Sequence, residues 1–452
     1  MNARAANRRS QLRRWVLGLA LMSCALPAAA NEKREVPDYD GRPPESTDAI
    51  DVALWVPRLV LLPLYVVSEY AVRLPVGALI SVAERSEVPR YLYEALTFGE
   101  RQQGGLYPVG YADFGFRPSV GARFFWNGDA LFDGNSVRAA LAYGGRHWLL
   151  ATVSDRYQLS EASGVGLRLS FLRRPDHLFH GLGPRSEDDA NARYGLQQLA
   201  AIGEFEQRFG RGPSGVWLSG GVRTVRFRDD TCCGDPAVVE RVATGAFPEL
   251  TGIGERFTAI VVGAQLALDS RRPRPEPRSG GLLRLHAENT LRWRGVENVG
   301  WVRYGGHAEG FLDLGWEARV LSLALDIELV DPVGSEPVPF FELAGPAGTA
   351  PLAAFRPGRL VDRSAAALVL RYSWPVWAAA DGQLTFGAGN VFGERLEGFR
   401  PDLLRLSAAI GISSEDVGPL FPPVEVLVGV GSQPLERGVR FSSLRFLVRA
   451  AL

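Results

Sequence analysis

Leu282-Leu283-Arg284-Leu285-His286-Ala287-Glu288-Asn289-Thr290-Leu291-Arg292-Trp293-Arg294 decides the fold. Its even positions read Leu282, Arg284, His286, Glu288, Thr290, Arg292 and Arg294; its odd positions read Leu283, Leu285, Ala287, Asn289, Leu291 and Trp293. Successive side chains of an extended strand point to opposite faces, so one face is charged and the other largely apolar, whereas a helix would spread the apolar set round all its sides. The pattern recurs from Arg319 to Val330, where Leu321, Leu323, Leu325, Ile327 and Leu329 oppose Ser322, Ala324, Asp326 and Glu328. It recurs again from Leu404 to Ile412.

Sixteen such segments run from Leu106–Phe116 to Val439–Ala450, an even number, as a closed bacterial barrel requires. Most match the roughly 9–11 residues that cross a membrane when tilted. A soluble sandwich would also alternate, but it would need the charged face dry, and the strands continue without a second domain-like break. The expected fold is therefore an all-β membrane protein, a closed antiparallel transmembrane β-barrel of about sixteen strands. Arg284, Glu288, Asp326, Glu328 and Arg371 are expected to face a wet lumen, where such residues pair across strands or form a selectivity surface. Trp293, Trp301, Trp374 and Trp377 are expected to belong to interfacial aromatic girdles.

The start of the chain has another texture. Arg4, Arg8, Arg9, Arg13 and Arg14 precede an apolar stretch, Trp15 to Leu26, that ends in Ala28-Ala29-Ala30, the pattern of a secretory signal peptide over residues 1–30. Twelve apolar residues are too few for roughly 30 Å of hydrocarbon. Removing them leaves 45 basic against 50 acidic residues, with no basic excess to collect nucleic acid. Residues 31–50 read as a flexible leader. Residues 51–105, apolar but broken by Pro57, Pro63, Pro75 and Pro89, read as short helices at the periplasmic mouth or plugging the lumen. Residues 106–452 form the barrel.

Catalytic chemistry finds little support. Asp176, His177 and His180 cluster in sequence, but no nucleophile elbow and no second His/carboxylate group accompanies them, so a loop or turn role is expected. Cys232 and Cys233 are adjacent in a polar stretch and read as an exposed loop pair oxidised outside the cytoplasm. The chain is expected to be no enzyme and to need no cofactor or metal.

Pro339-Phe340-Phe341-Glu342-Leu343, Leu352 to Arg363, Leu370 to Trp377 and Phe386 to Phe392, with Leu268-Asp269-Ser270-Arg271 upstream, resemble the BamA/TamA family of outer-membrane assembly proteins, the bacterial surface-antigen barrels. The resemblance covers about the last 190 residues. It implies sixteen strands and a long inward-folding loop that includes Phe355, Arg356, Gly358 and Arg359. Family members usually begin with POTRA domains; residues 31–105 do not read as one, which is similar to the subgroup lacking them. The family's Arg-Gly before the loop aromatic is here Ala353-Ala354, and the Asp that meets that Arg corresponds to Gly387. If the loop folds inward, Ala353 and Gly387 are expected to face each other. The terminal aromatic is replaced by Leu452.

The resemblance implies a monomer in the outer membrane of a Gram-negative-type cell, inserting or translocating protein or lipid. Its expected partners are outer-membrane lipids and a periplasmic partner or client protein. The alternatives are a passive pore or structural surface protein and, behind it, an outer-membrane hydrolase.

Overall fold

A computed structural model describes residues 97–450 except 129, 131, 211, 231, 273–277, 294–298, 316–318, 347–351, 378–379 and 415–423, together with scattered positions from 55 to 96. The expected signal peptide and leader lie outside the described residues. Residues 57–452 form one compact unit.

A two-residue strand, β1 (Thr97–Phe98), precedes sixteen longer ones. The first eight are β2 (Gly104–Asp113), β3 (Ser119–Trp126), β4 (Asn135–Tyr143), β5 (Leu149–Gln158), β6 (Ser163–Phe179), β7 (Ala192–Arg208), β8 (Gly215–Arg228) and β9 (Arg256–Asp269). The second eight are β10 (Gly280–Arg292), β11 (Val299–Asp313), β12 (Val320–Val333), β13 (Ser364–Trp377), β14 (Ala380–Phe392), β15 (Arg405–Ser414), β16 (Val424–Ser432) and β17 (Phe441–Ala450). From β2 onward each strand pairs antiparallel with the next, and β17 returns to β2, so the sheet closes and leaves no free edge along its paired length. β1 folds back on Gly104 and Gly105, so extended chain begins inside the stretch read as helical.

Alternation sets the two faces as the sequence pattern requires. Leu323, Leu325, Leu368, Leu370 and Phe386 stand exposed on the outside, while Ser322, Ala324, Ala365, Ala367 and Val369 are buried inside. The aromatic girdle needs correction. Trp301 is 1% exposed and points inward from β11, whereas Trp374 alternates with the outward Leu368 and Leu370 and lies covered on the outer face over Gly382 of β14. Trp293 is exposed, and the side chain of Trp377 lies outside the description. Phe98, Phe124 and Trp126 form an outer aromatic cluster instead, with ring centroids 5.9–6.2 Å apart.

Strands run past their expected ends where bulges carry them. β6 continues to Phe179 across a register shift between Arg174 and His177, so Asp176 and His177 lie in a strand and not in the expected loop or turn. The longest connections all leave one end of the barrel, and those at the other end are ten residues or shorter. The longest loops are residues 229–255, with helix α1 (Val238–Ala243), and residues 334–363. Among the described residues no helix is long and apolar enough to cross a membrane.

Candidate functional site: lumen, inward loop and seam

The lumen has two tiers. Toward the short-turn end the inward side chains are polar. On β10 to β13, Arg284, Asp326 and Glu328 line a cavity of about 210 Å³ with His286, Arg303 and His307. Glu328 sits 2.9 Å from both His286 Nε2 and an Arg303 nitrogen, and Asp326 sits 2.9 Å from His307 Nδ1. Arg371 pairs with Glu309 at 3.1 Å, and Ser322 donates to the same carboxylate at 2.8 Å. Glu288 stands opposite Arg303 in the β10–β11 register and outside this cavity. A second polar cavity of about 470 Å³, on β4 to β8, holds Arg138, Arg156, Arg168 and Arg208 against Glu204 and Glu206. Cross-strand pairing of this kind keeps the charges satisfied at the cost of a wet interior.

Toward the long-loop end the lumen is dry. Tyr194, Phe227, Phe257, Trp301 and Val330, all on inward positions, join one apolar core with Phe340, Leu352, Phe355 and Leu360 of the 334–363 loop. The loop crosses the lumen and is held on two sides. On one side Phe340 meets Phe179 and Tyr194 edge-on at 5.0 and 4.9 Å, while Glu342 accepts from Arg223 at 3.1 Å. On the other side the Phe355 ring fills the space where a side chain on Gly431 of β16 would begin, 2.7 Å from the missing Cβ.

The four loop residues singled out by resemblance have separate jobs. Phe355 is fully buried, and Arg356 donates to the Leu444 carbonyl at 3.3 Å. Gly358 has φ +83° and lies so close to the Leu178 carbonyl that any side chain would collide with it, which requires glycine twice over. Arg359 donates to the Ser186 hydroxyl at 2.8 Å and pairs with Asp188 at 2.6 Å. Burial would raise the Asp188 carboxyl, but Arg359 beside it and a bond from Ser442 hold it below the usual carboxylate range. Asp362, half-buried, is pushed up to about 6 by desolvation, against the pull of the Arg363 backbone N–H and charge.

Ala353 packs against Ala409, Leu427 and Leu447, and the Ala354 N–H donates to Ser407, the register partner of Gly387. The cation that grips the loop comes from the last strand. Arg445 of β17 donates to the Ala353 and Phe355 carbonyls at 3.1 and 3.2 Å and pairs at 2.9 Å with the fully buried Asp113 of β2. That one guanidinium therefore joins the first strand, the last strand and the loop.

The joint it spans is short. Among the described residues, Gly110–Asp113 of β2 pair with Leu447–Ala450 of β17, extended by a bond from Phe114 N to Phe446 O at 2.9 Å. By contrast β6 and β7 pair from Ser163/Gln207 to Phe179/Ala192. β2 carries Pro108 beyond the described pairing with β17, and proline is tolerated in sheets mainly at an edge or a bulge.

The remaining candidates are structural. Asp176 accepts from the Arg117 N–H and the Arg174 side chain, both at 3.0 Å, and His177 stacks on Tyr194. His180, just past β6, is pushed down to about 3 by burial and then by Arg359, so it is neutral and its Nδ1–H donates to the Glu187 carbonyl at 3.0 Å. Cys232 and Cys233 form a disulfide; Cys232 is buried and only Cys233 is exposed. Among the described residues no group of three His, Cys, Asp or Glu is placed to hold a metal ion.

No family model matches the chain, and no curated protein matches it in sequence. Solved structures do. BamA from Haemophilus ducreyi lacking POTRA domains 1–3 superposes with a TM-score of 0.55 at 14% identity, over 77% of this chain and 70% of that one. The barrel is similar in fold to that of BamA. CdiB from Acinetobacter baumannii also aligns, with a TM-score of 0.47 and 10% identity, over 77% of this chain and 60% of CdiB. At 14% identity the likeness to BamA is one of fold: a closed sixteen-strand outer-membrane type of barrel.

Proposed function

We propose that this protein is an outer-membrane insertion or translocation barrel, whose β2–β17 seam parts to take up a protein or lipid client. The observation that carries this reading is the seam itself, whose pairing among the described residues runs between Gly110–Asp113 and Leu447–Ala450. Each lost backbone pair costs little beside the full-length pairing elsewhere, and a seam that parts exposes the β2 and β17 edges to an incoming strand. The fold likeness to BamA supports the same reading. A passive pore fits less well, because the long-loop tier of the lumen is filled by apolar side chains.

A seam-locking disulfide tests it. Ala112 and Val448 are register partners, so Ala112→Cys with Val448→Cys should cross-link the joint under oxidising conditions. The locked protein is expected to stop supporting insertion of other barrels into vesicles or cells, and a reductant should restore it; wild-type protein treated alike controls for reduction of Cys232–Cys233. Undiminished insertion by the locked form would exclude the seam as the route.

A further inference from the structure

The chain before the barrel meets it from outside. The described positions Arg58, Leu59, Leu61 to Pro63, Tyr65 and Val66 are helical, and Glu69 and Tyr70 follow in a wider π turn. One side of this segment is docked. Arg58 Nε donates to the Leu314 carbonyl at 2.6 Å, and its guanidinium occupies the space that a side chain on Gly315 would need. Arg319, fully buried, pairs with Glu69 at 3.0 Å, lies 4.3 Å from the Tyr65 ring centre and donates to the Tyr372 hydroxyl at 3.1 Å.

Register fixes which face of the wall is covered. Arg319 alternates with the outward Leu321 and Leu323, and Tyr372 with the outward Leu370 and Leu368. Leu323 and Leu370 are 51% and 39% exposed, yet Tyr372 is only 3% exposed. The segment therefore lies over the outer wall at the short-turn end, and the expectation of a lumen plug does not apply to it.

One position round from the docked side stands a second stripe, Leu59, Leu62, Val66 and Tyr70, spaced three, four and four. Such spacing lines one helical face. All four are exposed, Leu59 by 68% and Tyr70 by 63%. We propose that this stripe is a membrane foot, lying in the phospholipid leaflet that surrounds the short-turn end of the barrel. The occupant follows from continuity: the stripe extends the exposed apolar belt of β11 to β13, where Leu312, Leu323 and Leu370 already face outward. An amphipathic segment held parallel to the interface buries its apolar face at the headgroup boundary, and tyrosine suits that depth. The foot is independent of whether the seam opens, so either reading can fail without the other.

The test is depth-dependent quenching on the full chain in phosphatidylcholine/phosphatidylglycerol vesicles. A fluorophore is attached at Val66→Cys, with wild-type protein as the labelling blank, Leu323→Cys as the lipid reference and Glu436→Cys as the aqueous reference. Folding is checked by the heat-dependent shift on gels, and Leu59→Cys replaces Val66→Cys if the latter does not fold. Brominated lipid is expected to quench the Val66 label to a fraction similar to that at Leu323, with little loss to iodide. Quenching by iodide alone would place the stripe in water, and quenching by neither would place it against protein; either result overturns the proposal.

Discussion

Arg445 shows what a single residue can join. It is 11% exposed at its side chain, Asp113 is fully buried, and they are separated by 332 positions in the chain. Removing one partner of a buried pair leaves an uncompensated charge and costs about 3–5 kcal/mol. Arg445→Gln and Asp113→Asn should each lower the unfolding free energy in vesicles by about 3 kcal/mol, toward the lower end of that range because water reaches Arg445. The double variant should lose less than the two together, with a coupling of at least about 0.5 kcal/mol. Additive losses would mean that the two groups do not act as a pair. No sequence pattern pointed to this contact, since it exists only through the closing register. The paired departure at Ala353 and Gly387 was legible, but its replacement by a cation on β17 was not: Arg445 and the loop it holds share no periodicity.

At the scale of elements, the 334–363 loop behaves as a bolt seated on both sides of the lumen. Phe355→Ala removes a fully buried ring that rests on Gly431, and should cost about 3–5 kcal/mol in a loop-protection measurement such as hydrogen exchange. Asp362 adds a dependence on pH. Its carboxyl is raised from 3.8 to about 6, so the folded loop favours the protonated form. That contribution is fully present below about pH 4 and is lost as pH rises through about 6. The loop should therefore be cleaved more slowly by an added protease at pH 5 than at pH 7.5, after correction for the protease's own pH profile. Asp362→Asn should flatten that difference; an unchanged difference would assign it to another group. The inward loop was readable because Phe355, Arg356, Gly358 and Arg359 carry a family likeness. Its partners Ser186 and Asp188 were not, because they lie in a different loop with no repeat or spacing to announce them.

For the whole molecule, alternation gave the strands and their facing, while their ends depended on bulges that no period contains, as at Arg174 to His177. The facing is testable at depth. Leu323→Arg should cost on the order of 2–4 kcal/mol if placed near the bilayer midplane. Ser154→Arg, in the wet cavity beside Glu204, should be nearly neutral. Equal losses would reverse the assignment. The dry upper tier makes a further expectation: planar bilayers should show little steady conductance from the intact protein and a clear step after deletion of residues 345–360. A large conductance before deletion would revive the passive pore.

The short seam also sets an order of assembly. Because β2 finds its second neighbour only when β17 arrives, every other strand pair can form from chain already adjacent, while the ring must wait for its final element. Closing so long a loop is entropically disfavoured and slow. A growing barrel of this sequence spends its late folding as an open sheet with two naked edges, and a chain cut before Phe441 would remain one.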